Sequence, residues 1–100
     1  MVNEHLDLLL LKVLERGPLH GYAVISELRD QSDGRFDLPE GTIYPALHRL
    51  EAAGLLASEW STSDGRRRRV YSLTADGRVA KARQQREWRL FARGIDAVLA

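Results

Sequence analysis

The sequence predicts a mainly α, α+β domain: three helices, a two-stranded hairpin, then a long final helix. Three observations carry this. Apolar residues recur at helical spacing in four separate stretches. Between the third and fourth, Asp64-Gly65 separates two apolar-bearing runs, a strong short-range hairpin signal. The chain is 100 residues long, which is one small domain that buries only about two thirds of its unfolded surface.

Asn3 is placed to cap the first helix, with Glu4 and Asp7 favourable to its dipole. Leu6, Leu9, Leu10, Val13 and Leu14 form one apolar face, and Leu8 and Leu11 point roughly the opposite way at about 100° per residue. A helix apolar on two sides needs two packing partners. Gly17-Pro18 ends it. The second helix runs from about His20 to Gln31, with Tyr22, Val24, Ile25 and Leu28 expected inside. Residues 31–34 form a turn, and Phe36 and Leu38 alternate with charge as in a short strand. The third helix covers roughly 40–53 and stops at Gly54, with Ile43, Ala46, Leu47, Leu50 and Ala53 as its core stripe. Pro45 is harmless if Thr42 caps this helix; a start at Pro39 or Glu40 implies a kink or a loose turn. The hairpin follows, and Thr74 caps the last helix.

The net charge of +1 conceals an asymmetry. Residues 1–60 carry five basic and ten acidic groups, whereas residues 61–100 carry ten basic and four acidic ones. A basic half of this kind meets a polyanion. Cysteine is absent, so disulfides, thiolate metal sites and cysteine nucleophiles are excluded. With no membrane-length apolar run and no signal peptide, the expectation is a soluble cytoplasmic protein without a membrane partner. His5, His20 and His48 fall on different helices beside no nucleophile, phosphate loop or metal-ligand spacing. They read as surface or capping residues, with no enzyme, metal or cofactor implied.

Two helices joined by a short segment and followed by a basic hairpin make a winged helix-turn-helix. In that arrangement the third helix enters the major groove of double-stranded DNA and the wing reaches backbone or minor groove. Opposite the core stripe lie Thr42, Tyr44, Pro45, His48, Arg49 and Ala52. Arg49 has the donors for guanine, and His48 or Thr42 for a base edge or phosphate. Tyr44 offers a hydroxyl and a ring. The alternatives are that Tyr44 covers the helix junction and that Arg49 pairs with Glu51 or another carboxylate. Arg66, Arg67, Arg68 and Arg69 open the second strand as permanent cations suited to phosphate. Strand alternation puts Arg67 and Arg69 on the side of Tyr71 and Leu73, folding back toward the protein, which favours Arg66 and Arg68 for DNA. Trp60 is expected to anchor the wing by packing. A winged helix used only for protein binding is the rival reading; such modules usually lose the basic wing and the polar outer face of the third helix.

Three segments resemble the PadR family of transcriptional regulators. Gly17-Pro18-Leu19-His20-Gly21-Tyr22 is similar to the family's entry to its second helix. Residues 41–51, from Gly41-Thr42-Ile43-Tyr44-Pro45 to Glu51, are similar to its recognition helix, with Gly54-Leu55-Leu56 as the exit. Gly65 through Arg69, Tyr71-Ser72-Leu73-Thr74 and Gly77 are similar to its wing and last helix. Pro39 departs from the polar cap common in relatives. The resemblance implies a dimeric repressor on an inverted-repeat operator. It divides the chain into a DNA-binding unit at 1–73 and, as in the shorter subfamily, a dimerisation helix at 74–100 packed on the same domain.

Trp88, Phe91, Ile95, Val98 and Leu99 form an apolar stripe on that helix, expected to meet Leu8 and Leu11 of a second copy. Shorter relatives bind flat aromatic compounds at the dimer centre. The resemblance therefore implies an aromatic effector held by Trp88 and Phe91 with Leu8 and Leu11, near Arg86, Arg89 and Arg93. The alternative is an interface tryptophan that only fills space.

Overall fold

The computed structural model describes the backbone of residues 2–100 and the side chains of residues 5–100. The side chains of Asn3 and Glu4 lie outside the described residues. Helix α1 spans Val2–Val13 and runs into a 3₁₀ turn at Leu14–Arg16. Strand β1 (Leu19–His20) leads directly into α2 (Gly21–Gln31), and α3 follows at Glu40–Ala52. The wing is β2 (Leu56–Ser63) and β3 (Arg66–Leu73), and α4 spans Ala75–Leu99.

Leucines of α1 build the centre. Leu6, Leu10, Leu11, Val13 and Leu14 are buried against Val24 and Leu28 of α2 and Ile43, Ala46, Leu47 and Leu50 of α3. Because α1 packs on α2, α3 and α4, most of its circumference is covered. Leu11, expected on an outward face with Leu8, is 0 % exposed and belongs to this core; it has no surface to offer a partner or ligand. Tyr22 departs in the other direction, being 56 % exposed rather than buried, and Ala53 is exposed because it is the C-cap of α3.

The wing is two-stranded, but its sheet has three strands in the order β1-β3-β2. Leu19 pairs with Tyr71 and His20 with Val70, which fastens the start of α2 to the middle strand. Phe36 and Leu38 form no strand. They pack half-buried on the core instead, so their alternation with charge reflects burial of two apolar residues without a ladder partner. At the wing tip Ser63 pairs with Arg66 across Asp64 and Gly65, whose φ values are 53° and 72°. Two successive positive φ angles define a type I′ turn, for which Asp-Gly is suited.

Helix α3 starts at Glu40, with the Pro39 carbonyl accepting from the amides of Thr42 and Ile43. Thr42 is therefore inside the helix, not its cap. Pro45 lies within it, on the exposed side, where the Gly41 carbonyl left without an amide partner is open to water. The helix ends in a Schellman arrangement, Leu55 N–H to Leu50 O and Gly54 N–H to Glu51 O, both 3.0 Å. Thr74 caps α4 by accepting from Gly77 N–H at 3.0 Å, and its hydroxyl donates to Gly54 O at 2.7 Å.

Helix α4 is tied back to α1 by charge. Glu15 receives Lys12 at 2.8 Å and Lys81 of α4 at 2.7 Å. The Lys12 hydrogen bond first, and then that of Lys81, hold its carboxyl down to about 2 from an ordinary 4.5. A depressed carboxylate stabilises the fold above its unfolded pKa and loses that contribution as pH falls through the folded one. Stability is therefore expected to decline between about pH 4.5 and pH 2. In Glu15→Gln that part of the decline should be absent, at a cost near neutral pH of about 1 kcal/mol, since the pair is partly solvated. Urea unfolding of both proteins across this pH range measures it.

Candidate nucleic-acid interface

The core stripe of α3 turns the opposite face outward. Tyr44 and His48, four residues apart, stand one above the other with ring centroids 6.4 Å apart. The row continues at both ends. Tyr22 meets Tyr44 edge-on at 6.2 Å, and His48 lies 6.5 Å from Tyr71 of β3. Gly21 makes the first of these contacts possible: any Cβ there would collide with the Tyr44 ring. Tyr22 is exposed because it lies two residues, about 200° around α2, from the buried Val24. Burial raises the Tyr44 hydroxyl above its ordinary pKa, aided by Glu40 and opposed by Arg68, so it remains a donor.

The wing arginines are divided among three tasks. Arg66 is exposed at the tip with no protein partner among the described residues. Arg67 and Arg69 lie over the Trp60 ring, 4.5 Å and 5.3 Å from its centroid. Arg69 also donates from Nε to Ser58 Oγ at 2.7 Å and sits 3.8 Å from Glu51. Ser58 in turn donates to Glu51, so the base of the wing is bonded to the end of α3. Arg68 points to the other side of β3 and donates Nη1 to His20 Nε2 at 2.8 Å. Trp60, expected to anchor the wing by packing, is 54 % exposed. It sits too far along β2 to reach the core, and two guanidiniums cover its ring instead.

These groups enclose an open groove of about 470 Å³ between α3 and the wing. Tyr44, His48, Arg66, Arg67 and Arg68 of the expected set line it, together with His20, Tyr22, Trp60, Arg69 and Tyr71. Four guanidiniums, aromatic hydroxyls and exposed ring faces are the chemistry of phosphate binding with stacking or base-edge contact. Thr42 is half-buried in the first turn of α3 and does not line the groove. The neighbours of Trp60 and His20 were hidden from sequence reading because each depends on strand pairing. The one available signal was register: Trp60 opposite Arg69, and His20 opposite Val70, diagonal to Arg68.

Arg49 is outside the groove. Its Nη1 and Nη2 bind the two carboxylate oxygens of Asp7 at 2.8 and 2.7 Å. The alternative of a surface carboxylate partner describes this arginine, with Asp7 of α1 in place of Glu51. The helix carries Arg49 past the groove toward α1, and the fork geometry of the guanidinium fits the carboxylate.

A second, apolar groove of about 590 Å³ lies between α1 and the distal half of α4. Leu8, Trp88, Phe91 and Ile95 line it; Leu9 and Phe36 join them in place of the buried Leu11. Arg89 and Lys12 are at its edge, whereas Arg86 and Arg93 are not among its walls. Beyond it, Leu90, Phe91, Ile95, Val98 and Leu99 border a shallower apolar hollow of about 440 Å³. Trp88 is 44 % exposed and Val98 85 %. No helix among the described residues is long and apolar enough to cross a membrane.

Helix, strand, helix, helix and basic hairpin in this order define a winged helix-turn-helix protein. The PadR-like family of transcriptional regulators matches residues 10–83. The transcriptional regulator Rv3488 of Mycobacterium tuberculosis is 44 % identical over 77 residues, covering 77 % of this chain and 69 % of that one. A PadR family regulator of Clostridium difficile R20291 superposes with a TM-score of 0.84 at 32 % identity, covering 96 % of this chain and 99 % of that one. Another from Eggerthella lenta gives 0.85 at 32 % identity, covering 97 % and 83 %. The chain belongs to the PadR-like family; it is a transcriptional regulator and not an enzyme.

The Asp7–Arg49 pair holds α3 on α1, which a mutant cycle can isolate. Asp7→Ala and Arg49→Ala are each expected to cost about 1 kcal/mol of unfolding free energy, with a coupling of about 0.5 kcal/mol for a partly exposed pair. Denaturant unfolding of the two single variants and the double variant measures it; strictly additive losses would show that the pair contributes nothing.

Proposed function

We propose that this regulator works as a homodimer that binds an inverted-repeat operator, with α3 of each subunit in successive major grooves and each wing on phosphate or minor groove. The observation that carries the reading is the groove shared by Tyr44 and His48 with four wing arginines. Aromatic and imidazole groups on α3 read base edges and methyl groups; the arginines supply sequence-independent affinity. Thr42, at the start of α3, joins the backbone contacts in this reading. Arg49, engaged by Asp7, is left out of the base-reading set. Residues 1–73 act as the DNA-binding unit and 74–100 as the dimerisation helix, in the cytoplasm, and operator occupancy represses transcription.

The dimer reading is supported by the exposed Trp88, Phe91, Ile95, Val98 and Leu99, a stripe that would be an aggregation liability on a monomer. Bringing two Trp88 rings together across a two-fold axis makes a slot for a planar aromatic effector, and the apolar groove beside it is of ligand size. An effector that prefers one dimer geometry changes the separation of the two α3 helices and releases the operator.

Titration of the protein against its own upstream DNA at several salt concentrations tests the first part. Arg66→Ala with Arg68→Ala should weaken binding to every sequence and flatten the log–log salt slope by about 2, close to one unit for each phosphate no longer neutralised. His48→Ala should change which sequences are preferred with little effect on that slope. Wild-type affinity and slope in all of these variants would refute the reading.

The effector slot is read by fluorescence in a Trp60→Phe background, which leaves Trp88 as the sole indole. Planar aromatic compounds should quench it at saturable concentrations. Removing Trp88 should lower their affinity about tenfold or more, as expected for loss of an aromatic anchor. Equal affinity of a Trp88→Ala dimer, measured calorimetrically, would eliminate the slot.

A further inference from the structure

His20 stands between β1 and α2, and its two ring nitrogens face different parts of the molecule. Nδ1 is 3.3 Å from the Ala23 amide nitrogen, in the position of a helix cap. Nε2 is 2.8 Å from Nη1 of Arg68 on the wing. A neutral imidazole has one acceptor nitrogen and one N–H, whereas amide and guanidinium here are both donors. The ring can serve only one of them at a time.

The bond from Arg68 is the shorter and carries a full charge, and such bonds are about twice as strong as neutral ones. The lone pair therefore belongs to Nε2 and the proton to Nδ1, so α2 forgoes its cap bond. Asparagine at this position would cap α2 without conflict, since it is among the best N-cap residues. It is too short, however, to reach across to β3. Histidine here sacrifices local helix stability for a bond to the wing.

Sheet register makes that bond possible. His20 pairs with Val70, which places its ring on the same side of β3 as Arg68, two residues away. Partial burial, reinforced by the Arg68 charge, holds the ring below its ordinary pKa and so keeps it neutral and able to accept. One of the five guanidinium donors is used, leaving the others for an anion.

We propose that His20 is a positioning residue for DNA binding, holding the Arg68 guanidinium beside the recognition helix with its remaining donors free for a phosphate. The inference rests on the DNA-binding reading above. Without His20, Arg68 has to be ordered during binding, and ordering one long side chain costs roughly fivefold in affinity.

His20→Asn separates the two roles, because it keeps a cap acceptor and abandons Arg68. It should melt at or above the temperature of the parent protein and yet bind upstream DNA about fivefold more weakly. Arg68→Ala should be weaker still, and the double variant no weaker than Arg68→Ala alone. His20→Gln, whose amide oxygen reaches toward the Nε2 position, should recover most of the affinity. Nitrogen-15 NMR of the DNA-free protein should find the His20 lone pair on Nε2, moving to Nδ1 in Arg68→Ala. Parental affinity in His20→Asn, additive losses in the double variant, or an unchanged tautomer would each overturn the proposal. If the parent protein binds no DNA, both readings fall; if it binds and His20→Asn binds equally well, only this one does.

Discussion

Leu10 and Leu11 have no exposed surface, and the same is nearly true of Leu14 one turn further on. Burying these three side chains contributes several kcal/mol in a domain this small, at about 1.5–3 kcal/mol each. Because α1 is covered by α2, α3 and α4, its burial also sets where the other helices lie. Two ion pairs at its margins fix the arrangement, Asp7 with Arg49 of α3 and Glu15 with Lys81 of α4. Helix α3 and the long terminal helix are thereby both fastened to α1 and the turn that follows it.

The wing is joined to that support through β3. Its buried end, Tyr71 and Leu73, belongs to the core, while its outer end carries the arginines. Between the two, the chain from Arg69 through Ser58 to Glu51 bonds wing to α3, and the contact from Arg68 to His20 bonds wing to α2. A two-stranded hairpin alone is marginal in water. Here it is made a fixed arm by one short extra strand and by side-chain bonds to both helices of the helix-turn-helix.

The periodic features of the chain were readable without coordinates. The stripe Ile43, Ala46, Leu47 and Leu50, the Asp64-Gly65 turn, the Thr74 cap and the outward pair Tyr44 and His48 all follow from local spacing and turn chemistry. What escaped depended on neighbours far away in sequence. Leu11 looked outward until three helices closed over α1. Trp60, expected to anchor the wing by packing, does so beyond the core, against Arg67 and Arg69.

The sequence by itself determined a winged helix-turn-helix with a basic wing, because helical periodicity, an Asp-Gly turn and four consecutive arginines are local properties. Only the tertiary structure decided what each cation does. Arg49 went to Asp7, Arg69 to Glu51 and Ser58, and Arg68 to His20, while Arg66 at the tip has no partner among the described residues. A guanidinium takes whichever oxygen or nitrogen the packed elements bring within reach, and helix packing and strand register, not position in the run of arginines, set that distance.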